Sequence, residues 1–325
     1  MLASSAMAPS RVSSLWLVCI AVASCAPAPS TPAANTAAPA AGAPAAAPAV
    51  APERLVVTAD DGFQLTMWRK APAQPRRSVL LIHGRTWSGR PDFDLQVPGE
   101  SRSFMDMLVA QGYAAYALDQ RGYGATPRDA TGFLTPTRAA ADVAAALRMI
   151  GDKPVLFGWS LGSMVSQLVS QRYPDAVGAL VLFGYPFNPE AKVPEQPDPD
   201  APARKPTTAE AAAEDFIAPG VITKRAIEAY VKVAVASDPV RMDWRRTTEW
   251  NELSPEAVRV PVLLLQAELD PLAKTEPHAA LFKRLGTAER QWVVIPGGDH
   301  AALLEDTAPR LIAAIRAFVE RPQAP

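Results

Sequence analysis

Apolar residues recur from residue 53 onwards in short continuous runs, and longer segments with helical spacing separate these runs. Short runs rich in Val, Leu and Ile are typical of strands covered on both faces of a parallel sheet. Apolar residues three and four positions apart are typical of amphipathic helices. Strands are predicted at 54–58, 63–68, 78–82, 113–118, 154–157, 179–183, 261–266 and 291–295. Helices are predicted at 104–110, 137–150, 161–173, 275–285 and 303–319.

This alternation of strand and helix predicts an α/β fold with a mostly parallel sheet of the eight-stranded type and helices on both of its faces. The first two strands are the exception. Asp60-Asp61-Gly62 lies between them, and Asp-Gly accepts the positive φ angles that a tight hairpin turn needs. We therefore expect these two strands to pair in antiparallel fashion.

Residues 187–251 interrupt the alternation. Prolines cluster between residues 194 and 206, and helical spacing follows at 209–217 and 224–237. An insertion with its own helices between two core strands is typical of a lid over a binding site. A surface excursion without catalytic consequence is the alternative. The two parts of the predicted core are residues 53–186 and 252–325.

The first 25 residues predict a signal peptide. An apolar run at 15–23 follows Arg11 and ends in the small residues Ser24-Cys25-Ala26. A cationic start, an apolar run too short to span a bilayer and a small-residue exit are typical of secretory signals. The end of the run also resembles the bacterial lipobox, in which the cysteine, here Cys25, is lipidated. Ordinary signal-peptidase cleavage at a nearby alanine is the alternative.

Residues 26–52 consist almost entirely of Ala and Pro. Such a segment cannot form a packed core and favours extended conformations, so it is predicted to be a tether. Lipid chains on Cys25 would hold the protein at a membrane without a spanning helix. We therefore expect an exported, membrane-anchored lipoprotein that faces the periplasm or the cell exterior.

Composition narrows the functional classes. The chain of 325 residues is 49% hydrophobic, carries a formal net charge of −1 and has its charges interspersed, so neither nucleic acid nor an anionic membrane surface is an expected partner. Both cysteines, Cys19 and Cys25, precede the core, which can therefore form no disulfide and no thiolate metal site. The three histidines lack metal-ligand spacing. We expect no metal and no cofactor.

The segment Gly158-Trp159-Ser160-Leu161-Gly162 follows a predicted strand and precedes a predicted helix. A G-x-S-x-G sequence in this context is typical of a nucleophile elbow, in which the serine takes a strained backbone conformation at the tip of a sharp turn. Side chains two positions before and after the serine would collide with the neighbouring strand and helix. Ser160 is therefore the predicted nucleophile.

A serine hydroxyl needs a base, and the base needs an acid to orient it. Two later strands end in Ala267-Glu268-Leu269-Asp270-Pro271 and in Pro296-Gly297-Gly298-Asp299-His300. The carboxyl ends of strands are where open α/β sheets bind ligands. His300 is the predicted base and Asp270 the predicted acid, with Glu268 as the rival acid. Asp299 is predicted to shape the turn, and His278 to be a solvated or core-edge residue of a helix.

Together, Ile82-His83-Gly84, the segment from Leu118 to Gly124, the elbow and the two later loops resemble the α/β-hydrolase family with a short cap. The resemblance covers about residues 53–186 and 252–320. The family pattern of a strand followed by G-x-x-D-P favours Asp270 over Glu268. The resemblance also implies that the backbone N–H groups of Leu161 and Arg85 bind the oxyanion, that His83 supports its loop, and that Asp119 and Arg121 brace a loop as a pair.

The predicted activity is hydrolysis of a small carboxylic ester through an acyl-enzyme on Ser160. Dehalogenase and epoxide-hydrolase relatives carry Asp at the elbow, so Ser160 counts against both. Alternatives on the same fold are an aminopeptidase, a C–C bond hydrolase and a haloperoxidase-like perhydrolase. A catalytically inactive binding lipoprotein is the alternative from another class.

Aromatic side chains are the candidates for an apolar acyl pocket, although buried packing explains each of them equally well. An aminopeptidase would need carboxylates in the lid to hold the substrate amine, and Glu210 and Glu214 are available, although a helix face explains them more simply. The aromatic candidates are Trp159 and Trp87, followed by Phe216, Tyr230, Trp244 and Trp250 of the lid.

Overall fold

The computed structural model describes residues 51–195, 197 and 201–321. The predicted signal peptide, Cys25 and nearly all of the tether lie outside the described residues, so their assignments stay predictions. Within the described part of the chain, no helix is both long enough and apolar enough to cross a membrane.

Eight strands form one central sheet in the order β1-β2-β4-β3-β6-β7-β9-β10. β2 pairs antiparallel with both β1 and β4, and the remaining neighbours are parallel. This arrangement confirms the predicted α/β fold class, and the β1–β2 pairing confirms the predicted hairpin. The strands are β1 (Glu53–Thr58), β2 (Gln64–Lys70), β3 (Arg77–Ile82), β4 (Tyr113–Asp119), β6 (Val155–Trp159), β7 (Ala179–Phe183), β9 (Val262–Ala267) and β10 (Arg290–Ile295).

Helices cover both faces of this sheet. Side chains alternate along β3, so that Val79 and Leu81 join one buried cluster while Leu80 and Ile82 join the other. Burial on both faces explains why the strands are continuous apolar runs in the sequence. The helices are α1 (Gly89–Phe93), α2 (Phe104–Ala110), α3 (Pro136–Ile150), α4 (Leu161–Arg172), α5 (Ala209–Ala213), α6 (Lys224–Ser237), α7 (Thr275–Arg284) and α8 (Ala308–Val319).

The last helix is shorter than predicted. The pattern predicted a helix over 303–319, but residues 301–307 form turns and α8 begins at Ala308. The Ala308 N–H bonds to the Glu305 carbonyl, while the Leu304 carbonyl accepts from Arg102. Leu303 and Leu304 are fully buried, so core packing produced their apolar spacing without a helix.

The insertion, residues 187–251, contains α5, α6 and the short strand β8 (Asp243–Trp244), which pairs with β5 (Phe133–Leu134) in a separate two-stranded sheet. The predicted helix over 224–237 matches α6. The predicted helix over 209–217 was too long, because α5 ends at Ala213. The backbone N–H groups of Ile217 and Ala218 bond to a side chain of the core instead.

Asp119 and Arg121 both brace loops, but the prediction that they pair with each other was wrong. Asp119 accepts hydrogen bonds from the Gly89 and Ala125 N–H groups and from the Trp68 indole. The Arg121 guanidinium instead pairs with the side chains of three acids, Asp61, Asp129 and Asp142.

Candidate active site

Ser160 lies at the turn between β6 and α4 with φ 54° and ψ −123°. A positive φ of this kind is uncommon for a residue with a side chain and is typical of functional sites. The flanking glycines are sterically required: a Cβ on Gly158 would lie 2.3 Å from the Gly162 carbonyl oxygen, and one on Gly162 would lie 2.2 Å from that of Ile82. The structure thus has the backbone of a nucleophile elbow.

Two neighbouring segments fix the surroundings of Ser160. Its N–H donates to the Phe183 carbonyl at the end of β7, over 2.9 Å. On the other side, a Cβ on Gly84 would lie 3.5 Å from the Ser160 Cβ. Ser160 therefore lies between the loop after β3 and the loop after β7, both at the carboxyl ends of parallel strands.

His300 and Asp270 form a hydrogen-bonded pair. His300 Nδ1 lies 2.8 Å from Asp270 Oδ2, and both side chains are nearly or fully buried. Asp270 Oδ1 accepts from the backbone N–H groups of Leu272 and Ala273, at 2.8 and 3.2 Å. The carboxylate is thus held by its own loop, although Ala267 stands where the family pattern has glycine. With Nδ1 occupied, Nε2 is the ring nitrogen left for a reacting group.

Gly184 brings this pair and Ser160 together. It follows Phe183, the partner of the Ser160 N–H, and it has φ +57°. A Cβ on Gly184 would lie 3.1 Å from His300 Cε1 and 3.4 Å from Asp270 Oδ2. Phe183 at the end of β7 and Gly184 directly after it therefore adjoin all three residues that the sequence singled out for the triad.

Glu268, the rival acid, points elsewhere. It is exposed, and its carboxylate accepts the Gly297 N–H at 2.8 Å. This hydrogen bond holds the start of the loop that leads to His300, and within the described residues Glu268 makes no hydrogen bond to the imidazole.

The two predicted oxyanion donors belong to two segments that adjoin Ser160, the start of α4 and the loop after β3. Leu161 is the first residue of α4, where backbone N–H groups have no partner within the helix. Arg85 follows Gly84, and the Tyr123 hydroxyl donates to the Arg85 carbonyl, which fixes this peptide. Neither N–H has a recorded acceptor within the described residues.

His83 supports the same loop, as the resemblance implied. Its Nδ1 contacts the Gly84 carbonyl and its Nε2 accepts the Gln120 N–H. Complete burial lowers the pKa of His83 to about 4, so the ring is neutral at pH 7. His278 is buried in α7 with Nδ1 on the Lys274 carbonyl, deeper than the predicted solvated or core-edge position.

The predicted acyl-pocket indoles are buried and hydrogen-bonded. Trp159 is 2% exposed and donates to the His300 carbonyl at 2.8 Å. Trp87 is also 2% exposed and donates to the Asp215 carboxylate at 3.0 Å. Among the aromatic residues of the insertion, Tyr230 is fully buried, while Trp244 and Trp250 stack on each other. Contact of these side chains with substrate stays a prediction.

Sequence reasoning missed an acidic cluster beside the site. Asp215, on the insertion, accepts from Trp87, and the Tyr230 hydroxyl lies 2.9 Å from Asp92 and 3.4 Å from Asp215. Burial raises the pKa of Asp215 to about 6, which the nearby His300 partly offsets, and it raises that of Asp92 well above its usual range. Asp215 directly follows Glu214, one of the two lid carboxylates that the sequence offered for holding a substrate amine.

A family model described as serine aminopeptidase, S33 (Hydrolase_4) matches residues 73–307, more than two thirds of the chain. The chain is also similar to the human serine hydrolase BPHL, with 30% identity over 112 residues that make up 33% of this chain and 35% of the human protein. The match thus spans about a third of the length of that relative.

Solved structures share the fold at lower identity. A serine hydrolase involved in carbazole degradation, the CarC enzyme, superposes with a TM-score of 0.61 at 19% identity, covering 83% of this chain and 99% of that chain. An esterase from Thermogutta terrifontis superposes with a TM-score of 0.57 at 20% identity, covering 82% and 98%. The chain belongs to the serine aminopeptidase S33 family and is a serine hydrolase of the α/β-hydrolase superfamily.

Proposed function

We propose that the protein hydrolyses a small carboxylic ester through a covalent acyl-enzyme on Ser160, with His300 as the base and Asp270 as the acid that orients it. The observation that carries the proposal is that the strained Ser160 turn and the buried His300–Asp270 pair both adjoin the end of β7, at Phe183 and Gly184. In this arrangement the three residues take the roles of nucleophile, base and orienting acid in a serine-hydrolase triad.

The chemical steps follow from these positions. His300 Nε2 removes the proton from Ser160 Oγ as the oxygen attacks the ester carbonyl, and the imidazolium then gives that proton to the departing alcohol. In the second half, His300 takes a proton from water, whose oxygen attacks the acyl carbonyl. The acid product leaves, and Ser160 Oγ recovers its proton from His300.

The oxyanion of each tetrahedral intermediate lies, in this proposal, between the N–H groups of Leu161 and Arg85. Losing one such donor typically costs about 3–4 kcal/mol of transition-state stabilisation. Support comes from the Tyr123 hydroxyl and from the Asp92 carboxyl, 3.4 Å from the Gly84 nitrogen, since both hold the Arg85 loop.

A second candidate is a substrate that carries a free amine, such as an aminoacyl ester or amide. The specific observation is Asp215, a carboxylate of the insertion that accepts the indole N–H of Trp87 at 3.0 Å and whose pKa burial raises to about 6. An aminopeptidase needs a carboxylate of the lid to hold the substrate amine. Asp215 is such a carboxylate, whereas the sequence had offered Glu210 and Glu214 for this role. The name of the matching family points the same way.

The test is a panel of p-nitrophenyl esters of increasing chain length, set beside aminoacyl p-nitroanilides and a Ser160→Ala control. The proposal predicts Ser160-dependent ester hydrolysis that exceeds anilide hydrolysis. Faster cleavage of the anilides would establish the second candidate instead, with Asp215→Asn expected to raise KM for the free amines but not for their N-acetyl forms. Ester hydrolysis that survives Ser160→Ala would contradict the mechanism.

A further inference from the structure

Asp299 is completely buried beside His300, and its carboxylate connects two parts of the chain. Oδ1 accepts the N–H of Ala301 at 2.8 Å, within the loop that carries His300. Oδ2 accepts the N–H groups of Ile217 and Ala218 at 2.6 and 2.5 Å, both from the insertion. Hydrogen bonds to a charged, buried acceptor are among the strong ones in proteins.

A second contact joins the same two segments four residues further along the insertion. The Asp306 N–H donates to the Val221 carbonyl over 2.9 Å. Residues 217–221 are thus fixed to the loop of residues 299–306 at both ends, and the shorter pair of bonds depends on the side chain of Asp299 alone.

Glu305 faces Asp299 from within the loop. Its Oε2 accepts the Asp299 N–H at 3.2 Å, and its buried Oε1 has no hydrogen-bond partner among the described residues. Burial, together with the neighbouring Asp299 carboxylate, raises the pKa of Glu305 to about 9. Glu305 is therefore protonated at pH 7, next to the Asp299 carboxylate.

We propose that Asp299 is a positioning residue that ties the insertion to the His300 loop, and that the neutral, protonated form of the buried Glu305 beside it keeps this tie closed. Only the expected effect on activity rests on the proposed function, in which His300 is the catalytic base. When Glu305 ionises, two carboxylates share one buried site, and their repulsion releases residues 217–221.

Other charged groups lie around Asp299 and Glu305, but we expect the tie to depend on the proton of Glu305. Glu305 also borders a cavity of about 570 Å³ between α2 and α8, which is lined by Arg102 and Arg316 and by Glu100 and Asp306. Arg102 forms ion pairs with Glu100 and Asp306 and donates a hydrogen bond to the Leu304 carbonyl. On the side of the insertion, the charge of Asp299 contributes to the raised pKa of Asp215, after burial as the main cause.

The first test measures opening of the insertion by limited trypsin digestion after Lys224 and Arg225, between pH 7 and 10, with trypsin activity normalised on a free peptide. In the unmodified protein, cleavage should accelerate with a midpoint near pH 9, the pKa of Glu305. Glu305→Gln places a permanent donor beside Asp299, so this variant should lose the alkaline acceleration. An acceleration that persists in Glu305→Gln would overturn the pH-dependent part.

Asp299→Asn tests the tie itself, since it replaces one of the two acceptor oxygens with an NH2 group that faces N–H donors. We expect cleavage after Lys224 to be about tenfold faster at pH 7, because one charge-assisted pair of bonds is lost. Asp306→Asn is the matched control, since it removes an exposed acid from the same loop and leaves the Asp306 N–H in place. Equal cleavage of Asp299→Asn and the unmodified protein would overturn the tie.

The activity measurement separates this inference from the proposed function. Digestion needs no substrate, so its outcome stands even if ester hydrolysis fails. If ester hydrolysis holds, Asp299→Asn should lower kcat/KM by about tenfold. The unmodified protein should lose kcat/KM above pH 9, and Glu305→Gln should remove that loss. An alkaline loss that is identical in both proteins would overturn the link to His300.

Discussion

Glu268 and Asp270 are two residues apart in one loop, and their side chains meet different groups. Asp270 is buried against His300 Nδ1 and held by two backbone N–H groups. Glu268 is exposed and bonds to the Gly297 N–H. The sequence could assign the acid to this loop, because the carboxyl ends of parallel strands meet at one edge of the sheet. It could not separate the two carboxylates from local spacing alone, because turn geometry decides which one faces the histidine.

Asp270→Asn should therefore cost far more activity than Glu268→Gln. An amide in place of the acid favours the wrong imidazole tautomer, and such a change lowers kcat by about 10⁴-fold in a serine protease. Glu268→Gln keeps an acceptor for the Gly297 N–H and should stay within about threefold of the unmodified protein. Steady-state kinetics on one ester decides between them, and the reverse ranking would exchange the roles of the two acids.

Asp215 and Asp299 show what the sequence pattern could not supply. Asp215 lies just past a helix, and its role depends on the indole of Trp87, more than a hundred positions earlier. Asp299 was predicted to shape its own turn, and it does accept the Ala301 N–H, but it also accepts two N–H groups of the insertion. Contacts between distant segments leave no local spacing, whereas the glycines around Ser160 do.

Among the elements, strands were easier to predict than helix ends. Strands buried on both faces leave continuous apolar runs, and each predicted strand overlaps an observed one. Helix ends depend on which backbone groups find partners elsewhere, as at Ile217 and Leu304. For this reason α5 and α8 are both shorter than their apolar spacing indicates.

A substitution at Gly184 tests whether the loop after β7 positions His300. Gly184→Ala adds a methyl group about 3.1 Å from His300 Cε1 at a positive φ, so we expect a clear loss of kcat. Gly297→Ala is the matched control, because Gly297 also has a positive φ, +73°, but nothing lies within 4 Å of its Cβ position. Both variants bear the backbone strain, and only the first crowds the imidazole. Equal kinetics for the two variants would show that the loop does not position His300.

At the scale of the whole molecule, Arg121 connects the β1–β2 hairpin to α3. It pairs with Asp61 in the hairpin and with Asp142 in the helix. The hydrogen bond from Arg121 is the main reason that the pKa of Asp61 falls to about 2. A carboxyl whose pKa is lowered by folding stabilises the protein above its unfolded pKa, and this contribution disappears as the pH falls through the folded value.

Asp61→Asn should accordingly lower the free energy of unfolding at pH 7, and the difference from the unmodified protein should shrink between pH 4 and pH 2. Urea titrations across this range measure it. Asp175→Asn, at an exposed acid elsewhere, serves as the control. A difference that is constant with pH would exclude the Arg121 pair as its cause.

The predicted anchor is also a property of the whole chain. If Cys25 is lipidated, Cys25→Ser should move the protein from the membrane fraction to the soluble fraction, because the acyl chains supply the binding energy. Fractionation of cells that express either form measures this. The same distribution for both forms would contradict lipidation at Cys25.

Labelling with a fluorophosphonate probe, followed by peptide mass spectrometry, tests the central claim most directly. The account predicts a single adduct on Ser160, lost in Ser160→Ala and retained in Ser166→Ala, which alters another serine of α4. An adduct on any other residue, or labelling that survives Ser160→Ala, would contradict Ser160 as the nucleophile.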